Sequence, residues 1–172
     1  MEILILAVVT LPLLTALFLK VANRFLNELL TNFITINAAL LSVAVSFFMF
    51  GYLLLDKFKP IKFELFEWYP SPQIIFEFYL DGLSGVMMIL ISGLSLVIQL
   101  FSTSYMSKDE KYTKYFEYFN FFVFSMLLLV LSGNFLVMFF GWELVGLSSY
   151  LLISFWYEKN SAAKAGNKAF IL

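Results

Sequence analysis

The sequence contains no cysteine and no histidine. Without cysteine the chain has no disulfide, no thiolate metal site and no iron–sulfur ligation of its own. Without histidine it lacks the usual haem ligand, the usual general base and most zinc chemistry. No cofactor is therefore expected in this chain, and any redox group belongs to a partner. Charge is scarce too. Charged residues make up 13% of the chain, against about 25% in ordinary soluble domains. The net charge is −1, and the basic residues fall in short segments rather than in a stripe, so nothing points to nucleic acid. The sequence shows no internal repeat and no low-complexity segment.

Apolar residues are abundant, at 62% of the chain. A membrane-crossing helix needs about 20 mostly apolar residues. Five stretches qualify: residues 3–19, 33–55, 83–101, 115–131 and 135–157. The expected fold is all-α, a polytopic transmembrane helix bundle. Pro12 lies in the first span, where a kink is tolerable if neighbouring helices cover the freed carbonyl. The fourth and fifth spans are separated only by Ser132-Gly133-Asn134, a tight turn between antiparallel helices. One continuous helix through both would be roughly twice as long as a bilayer is thick. The N-terminus lacks a basic n-region and a small-residue cleavage site, so it reads as a span and not a signal peptide. After Ser161, a candidate helix cap, small residues and rising hydrophobicity beyond Lys168 read as the first turns of a sixth span.

Residues 56–80 form the one long loop. Residues 61–68 and 74–78 alternate in part, and Tyr69-Pro70-Ser71-Pro72 divides them. The expectation is a β-hairpin or extended loop, with Trp68 and Tyr69 at the membrane interface. The loops between five spans alternate between two sides. Lys20, Arg24, Lys108, Lys111, Lys114, Lys159, Lys164 and Lys168 fall on one, and Lys57, Lys59 and Lys62 on the other. The positive-inside rule puts the first side in the matrix or cytoplasm, with the N-terminus outside and the C-terminus inside. The richness in Phe (22) and Tyr (9) weighs for an AT-rich, mitochondrial genome and hence the mitochondrial inner membrane. A bacterial plasma membrane is the alternative.

Glu143 is the most informative residue. It is the only charged residue between Phe119 and Tyr157. A carboxylate at mid-membrane costs roughly 2.5–3.5 kcal/mol on insertion scales, and such groups are functional by default. On a helix its neighbours are Phe139, Phe140, Gly146 and Leu147. Gly141, Gly146, Ser148 and Ser149 allow close helix contact or room for water. Tyr150 shares the Glu143 face and Ser154 lies a turn further, a short polar column. Burial raises a carboxyl pKa and a nearby cation lowers it, so a group balanced between the two can load and release a proton. The alternative is a protonated Glu that only hydrogen-bonds a neighbouring helix. No span offers a Lys or Arg near mid-depth, so the counter-charge is expected from another chain or from sequence beyond Leu172.

Asp81 precedes the third span and reads as a helix cap, with a site role as the other option. Gln99, Ser92, Ser95 and Asn120 are expected to bond between helices, with a water path as the alternative. Lys164 and Lys168 read as topology signals. The sharper option makes them a proton access point or partners for an acid on a neighbouring chain.

The string from Phe140 to Trp156, with Gly141-Trp142-Glu143 and Ser148-Ser149-Tyr150, closely resembles the fifth-helix region of NADH dehydrogenase subunit 5. Three more stretches resemble that family: Asp81-Gly82-Leu83-Ser84, its Asp-Pro-Leu-Ser; Ser104-Tyr105-Met106 followed by Asp109, its Gly-Tyr-Met-x-x-Asp; and Ala163 to Phe170, ending in Lys-Ala-Phe. The resemblance covers about residues 76–170. It implies an antiporter-like, proton-pumping membrane subunit of respiratory complex I, with Glu143 as the glutamate of the first half-channel, paired with a lysine on a seventh helix. It implies as partners the other membrane subunits of complex I, a chain carrying the rest of the antiporter-like subunit, and lipids. Gly82 replaces the family's proline, which makes that helix start less rigid. The family protein has well over ten helices, so the expectation is a split gene, with a truncated chain as the alternative. A non-pumping scaffold subunit and a subunit of a multi-subunit sodium/proton antiporter are the other functions weighed.

Overall fold

A computed structural model describes residues 1–70 and 73–171, with the side chains of residues 68–70, 73, 74 and 171 outside that description. The side chains of Trp68 and Tyr69 and the turn at Ser71-Pro72, expected at the membrane interface and between the strands, therefore lie outside the described residues. The chain runs α1 (Glu2–Ala22), α2 (Glu28–Leu55), β1 (Ile61–Pro70), β2 (Gln73–Leu80), α3 (Gly82–Tyr105), α4 (Tyr112–Val130), α5 (Phe135–Ile153) and α6 (Asn160–Ile171).

Each boundary has a local cause. Asn27 caps α2 by accepting from the Leu30 N–H at 2.9 Å. The helix therefore begins at Glu28, five residues before the apolar run that suggested it. Pro12 sits on the buried face of α1, which continues through it. α5 ends at Ile153 and not at residue 157, because Ser154 turns the chain. Its Oγ donates to the Tyr150 carbonyl at 2.5 Å, and its N–H to the same carbonyl at 2.9 Å. α6 starts at Asn160, so Ser161 lies inside its first turn and does not precede it.

Four helices among the described residues, α1, α2, α3 and α5, are long and apolar enough to cross a membrane. α4, expected as the fourth of five spans, falls short of that measure. Its 19 residues include Tyr112, Lys114, Tyr115, Glu117, Tyr118 and Asn120. It is the packing centre, meeting α1 and α5 and also α2 and α3, and it runs between the basic end of the bundle and the turn held by the hairpin.

The expected hairpin is present. β1 and β2 pair antiparallel from Ile61↔Leu80 to Pro70↔Gln73, with bulges between Glu64 and Phe66 and between Glu67 and Tyr69. Alternation turns Phe78 and Leu80 into the core. Phe63 stacks on Phe78 and Phe66 on Phe76 across the strands, with centroids 6.4 and 5.4 Å apart. The hairpin then locks the Ser132-Gly133-Asn134 turn. Tyr79 N–H donates to Leu131 O at 2.8 Å, Gly133 N–H to Glu77 O at 2.9 Å and Asn134 Nδ2 to Ile75 O at 2.6 Å. The opposite end of the bundle has its own ties. Asp109 accepts the Lys111 N–H at 2.8 Å and the Trp156 indole N–H at 2.8 Å, and Lys111 pairs with Glu158 at 2.7 Å.

Candidate functional site

α5 packs on α4 through a narrow strip. Val137, Gly141 and Ser148 are its only fully buried residues among those described. At Gly141 the helices nearly touch: a Cβ there would stand 2.7 Å from Leu129 Cα. Glu143 lies two positions on, about 200° around the helix at 3.6 residues per turn. It therefore faces away from α4 and is exposed on the surface of this chain. Gly146 on the same side has nothing within 4 Å of a Cβ built on it. Nine residues into α5, Glu143 lies roughly 12 Å along the helix, at mid-span. Among the described residues the one ion pair is Lys111–Glu158, and no cation pairs with Glu143.

The column below Glu143 is built as expected up to a point. Tyr150 and Ser154 line a 180 Å³ cavity with Lys111, Lys114, Tyr118 and Tyr157, at the basic end of α4 and α5. α6 folds back on this segment. A Cβ at Gly166 would meet Ser154 Cβ at 2.7 Å, and the Phe170 ring packs on Tyr150 with centroids 5.7 Å apart. Phe170 opposite Tyr150 leaves Glu143 about two turns further along α5. Lys168 is exposed on α6, opposite the Ser154–Tyr150 stretch and not beside Glu143. Lys164 is exposed as well.

Asp81 stands at the other end of the molecule and is the N-cap of α3. Its carboxylate accepts the Ser84 N–H at 2.8 Å and the Ser84 hydroxyl at 2.8 Å, while its own N–H donates to Ser84 Oγ at 2.7 Å. The Ser84 N–H bond holds the Asp81 carboxyl below its usual pKa. A depressed folded-state pKa means that the stabilisation is present at neutral pH and is lost as pH falls through the folded value. Asp81→Ala should cost about 1 kcal/mol of thermal stability at neutral pH. The gap to the parent should close on acidification below the ordinary carboxylate range, and melting curves in detergent across pH 7 to pH 3 check both points. The three candidates Glu143, Lys168 and Asp81 thus occupy three separate places.

The buried amides and hydroxyls mostly bond within their own helices, contrary to the interhelical expectation. Ser92 donates to Met88 O at 2.8 Å, Ser95 to Ser92 O at 2.7 Å and Asn120 to Phe116 O at 2.9 Å. Small hydroxyls can satisfy themselves on the preceding turn, which needs no neighbouring helix. Gln99, 1% exposed, keeps Oε1 without a partner, as does the Oγ of Ser42. Among the described residues the side-chain bonds that cross between helices are elsewhere: Thr31 to Thr113 at 3.2 Å, Ser102 to Tyr115 at 3.0 Å, and the Tyr112 hydroxyl, which donates to Asn32 Oδ1 at 2.5 Å and to Thr103 O at 3.4 Å.

One charged group escaped the sequence reading. Glu117 sits half-buried on α4 and lines a cleft of about 560 Å³ with Lys20, Asn23 and Lys114. A signal was present, since Glu117 is an acid inside the expected fourth span.

Two family models match the chain. Residues 68–116 match the N-terminus of chain 5 of NADH-ubiquinone oxidoreductase (complex I), and residues 132–172 match the transmembrane region of NADH:quinone oxidoreductase and Mrp antiporters. NADH-quinone oxidoreductase subunit L of Buchnera aphidicola is 36% identical over 166 residues, which is 95% of this chain and 27% of that protein. The chloroplastic NAD(P)H-quinone oxidoreductase subunit 5 of Adiantum capillus-veneris is 37% identical over 134 residues, 76% of this chain and 18% of its own. The chain belongs to the complex I chain 5 family.

As a member of the chain 5 family it spans about a quarter of the length of the curated relatives that it matches over 95% of its residues. The fold agrees with a chain of the membrane-bound sulfane sulfur reductase, an archaeal respiratory membrane complex. The TM-score is 0.85 at 20% identity, over 100% of this chain and 34% of the other. The second matched stretch carries Glu143 and Lys168, and the first carries Asp81 and Asp109. Glu117 falls between the two.

Proposed function

We propose that this chain forms part of a proton-translocating membrane subunit of an NADH:quinone oxidoreductase, in which Glu143 carries the proton. The observation that supports this most is the placement of Glu143. It stands at mid-span, exposed on the side of α5 turned away from α4, about two turns from where α6 packs on the same face. An apolar surround favours the neutral acid, and a cation brought within about 4–6 Å favours the carboxylate. One pKa unit is worth about 1.4 kcal/mol, so a small movement of that cation loads or releases a proton. Among the described residues no cation pairs with Glu143, and on this reading the cation comes from another chain or from sequence beyond Leu172. The chain performs no redox step, because electron transfer from NADH to quinone needs groups that its residues cannot ligate.

The setting is the mitochondrial inner membrane or a bacterial plasma membrane, with the Lys111–Lys114 end inside. The bacterial sources of the similar subunits weigh for the second. Tyr150, Ser154 and the lysines around the 180 Å³ cavity would give protons their access from that side. Lys164 and Lys168 contribute to the basic character of the same end. The partners are the other membrane subunits of complex I, including the chain or segment that completes this subunit, together with lipids. A sodium/proton antiporter subunit is the second reading, since the match over residues 132–172 includes Mrp antiporters by description.

Purification in mild detergent followed by mass spectrometry separates the two readings. Recovery with complex I subunits and NADH-driven proton uptake is the expected result. Recovery with antiporter subunits, and sodium-dependent exchange without NADH oxidation, would replace the proposal by the second reading.

A further inference from the structure

A cleft of about 560 Å³ lies between α1 and α4, closed at one side by Leu151 of α5. Its chemistry is graded along the helices. Lys20 and Asn23 stand at the end of α1, and Lys114 and Glu117 in the first turns of α4. Seven residues deeper on each helix, roughly 10 Å at helical rise, the walls are Leu13 and Phe121, with Ala16 and Leu17 between. A polar mouth above an apolar trough matches a molecule with a charged head and acyl chains. Basic pockets between membrane helices are recognised sites for lipid head groups.

The charges narrow the choice of head. Lys20 and Lys114 both act electrostatically on the Glu117 carboxylate. Neither closes an ion pair with it among the described residues. Lys114 lies over the Tyr118 ring instead, 5.5 Å from its centroid. Two ammoniums and one carboxylate at a single mouth complement a head that bears a phosphate and a primary ammonium. A purely anionic head would leave Glu117 facing like charge.

We propose that this cleft binds a phospholipid with a phosphate and a free amino group, of the phosphatidylethanolamine type. The phosphate meets Lys20 and Lys114, the ammonium donates to Glu117, and an acyl chain fills the trough beside Leu13, Leu17 and Phe121. This site does not depend on proton transfer by Glu143.

The test is native mass spectrometry of the full chain, or of the complex that contains it, from nanodiscs holding equal amounts of synthetic phosphatidylethanolamine, phosphatidylcholine and phosphatidylglycerol. Phosphatidylethanolamine should be retained at least about threefold over each of the others, the scale of one exposed ion pair. Glu117→Gln keeps the size and removes the charge, and should erase that preference while helicity by circular dichroism stays unchanged. The double variant Lys20→Ala/Lys114→Ala should lower retention of all three lipids. Preferential retention of phosphatidylglycerol, equal retention of the three, or a preference that survives Glu117→Gln would each overturn the proposal.

Discussion

Glu143→Gln should leave the assembled complex intact and cut proton-coupled NADH oxidation by a factor on the order of a hundred, the lower end of what a positioned proton-transfer group contributes. The amide keeps the shape of the side chain and cannot ionise. Glu143 bonds to nothing in its own chain's described residues and lies on an exposed face of α5, so the fold of residues 1–172 should not register the change. Assembly and activity therefore separate. A scaffold role predicts the opposite pattern, with assembly impaired and coupling normal. The readout is the number of protons moved per electron in vesicles containing the variant, alongside the yield of intact complex. An unchanged ratio in fully assembled variant would remove Glu143 from the proton route.

The second large effect is structural. At Gly141 an added methyl would stand 2.7 Å from Leu129 Cα and 2.8 Å from Leu129 N, both backbone atoms. Backbone cannot rotate aside as a side chain can, so α4 and α5 must move apart. Gly141→Ala should cost about 1–3 kcal/mol, the usual range for overpacking a filled interface. Gly146→Ala, five residues along the same helix, meets nothing within 4 Å, and should be neutral within this chain or gain up to about 1 kcal/mol from helix propensity. Thermal unfolding of the two variants in one detergent checks the contrast. Equal melting temperatures would mean that α4 and α5 do not cross at Gly141. A loss at Gly146 seen only in the complete complex would instead mark that face as an interface with other helices.

Much of the fold was legible because the membrane demands length and apolarity together. α1, α3 and the start of α5 follow from runs that meet both. The hairpin was legible from the partial alternation of residues 61–68 and 74–78 and from Tyr69-Pro70-Ser71-Pro72 dividing them. Its bulges at Glu64/Phe66 and Glu67/Tyr69 were not, since no residue there demands an extra position. α2 extends five residues ahead of the apolar span 33–55, because Glu28, Thr31 and Asn32 are polar yet helical, and only the Asn27 side chain marks the boundary. The polarity of α4 goes with its place at the centre of the packing, which no local pattern shows.

The site was legible only in part. Glu143 stands out in any reading, because an acid alone among apolar residues needs a reason. The orientation of Glu143 away from α4 follows from Gly141, but only once Leu129 is known to lie against that glycine. The cleft at Glu117 joins residues that are 97 positions apart, Lys20 and Glu117, and no local pattern brings them together. Asp109 looked like part of a family signature. Its bond to the Trp156 indole shows a physical purpose for it: it ties the α3–α4 connection to the end of α5.

The most direct test of the account is the distance from the Glu143 carboxylate to the nearest basic nitrogen in an electron-microscopy structure of the assembled complex. A lysine or arginine from outside residues 1–172 within about 6 Å, close enough to shift a carboxyl pKa, is the predicted result. A carboxyl surrounded only by acyl chains and apolar side chains would contradict it.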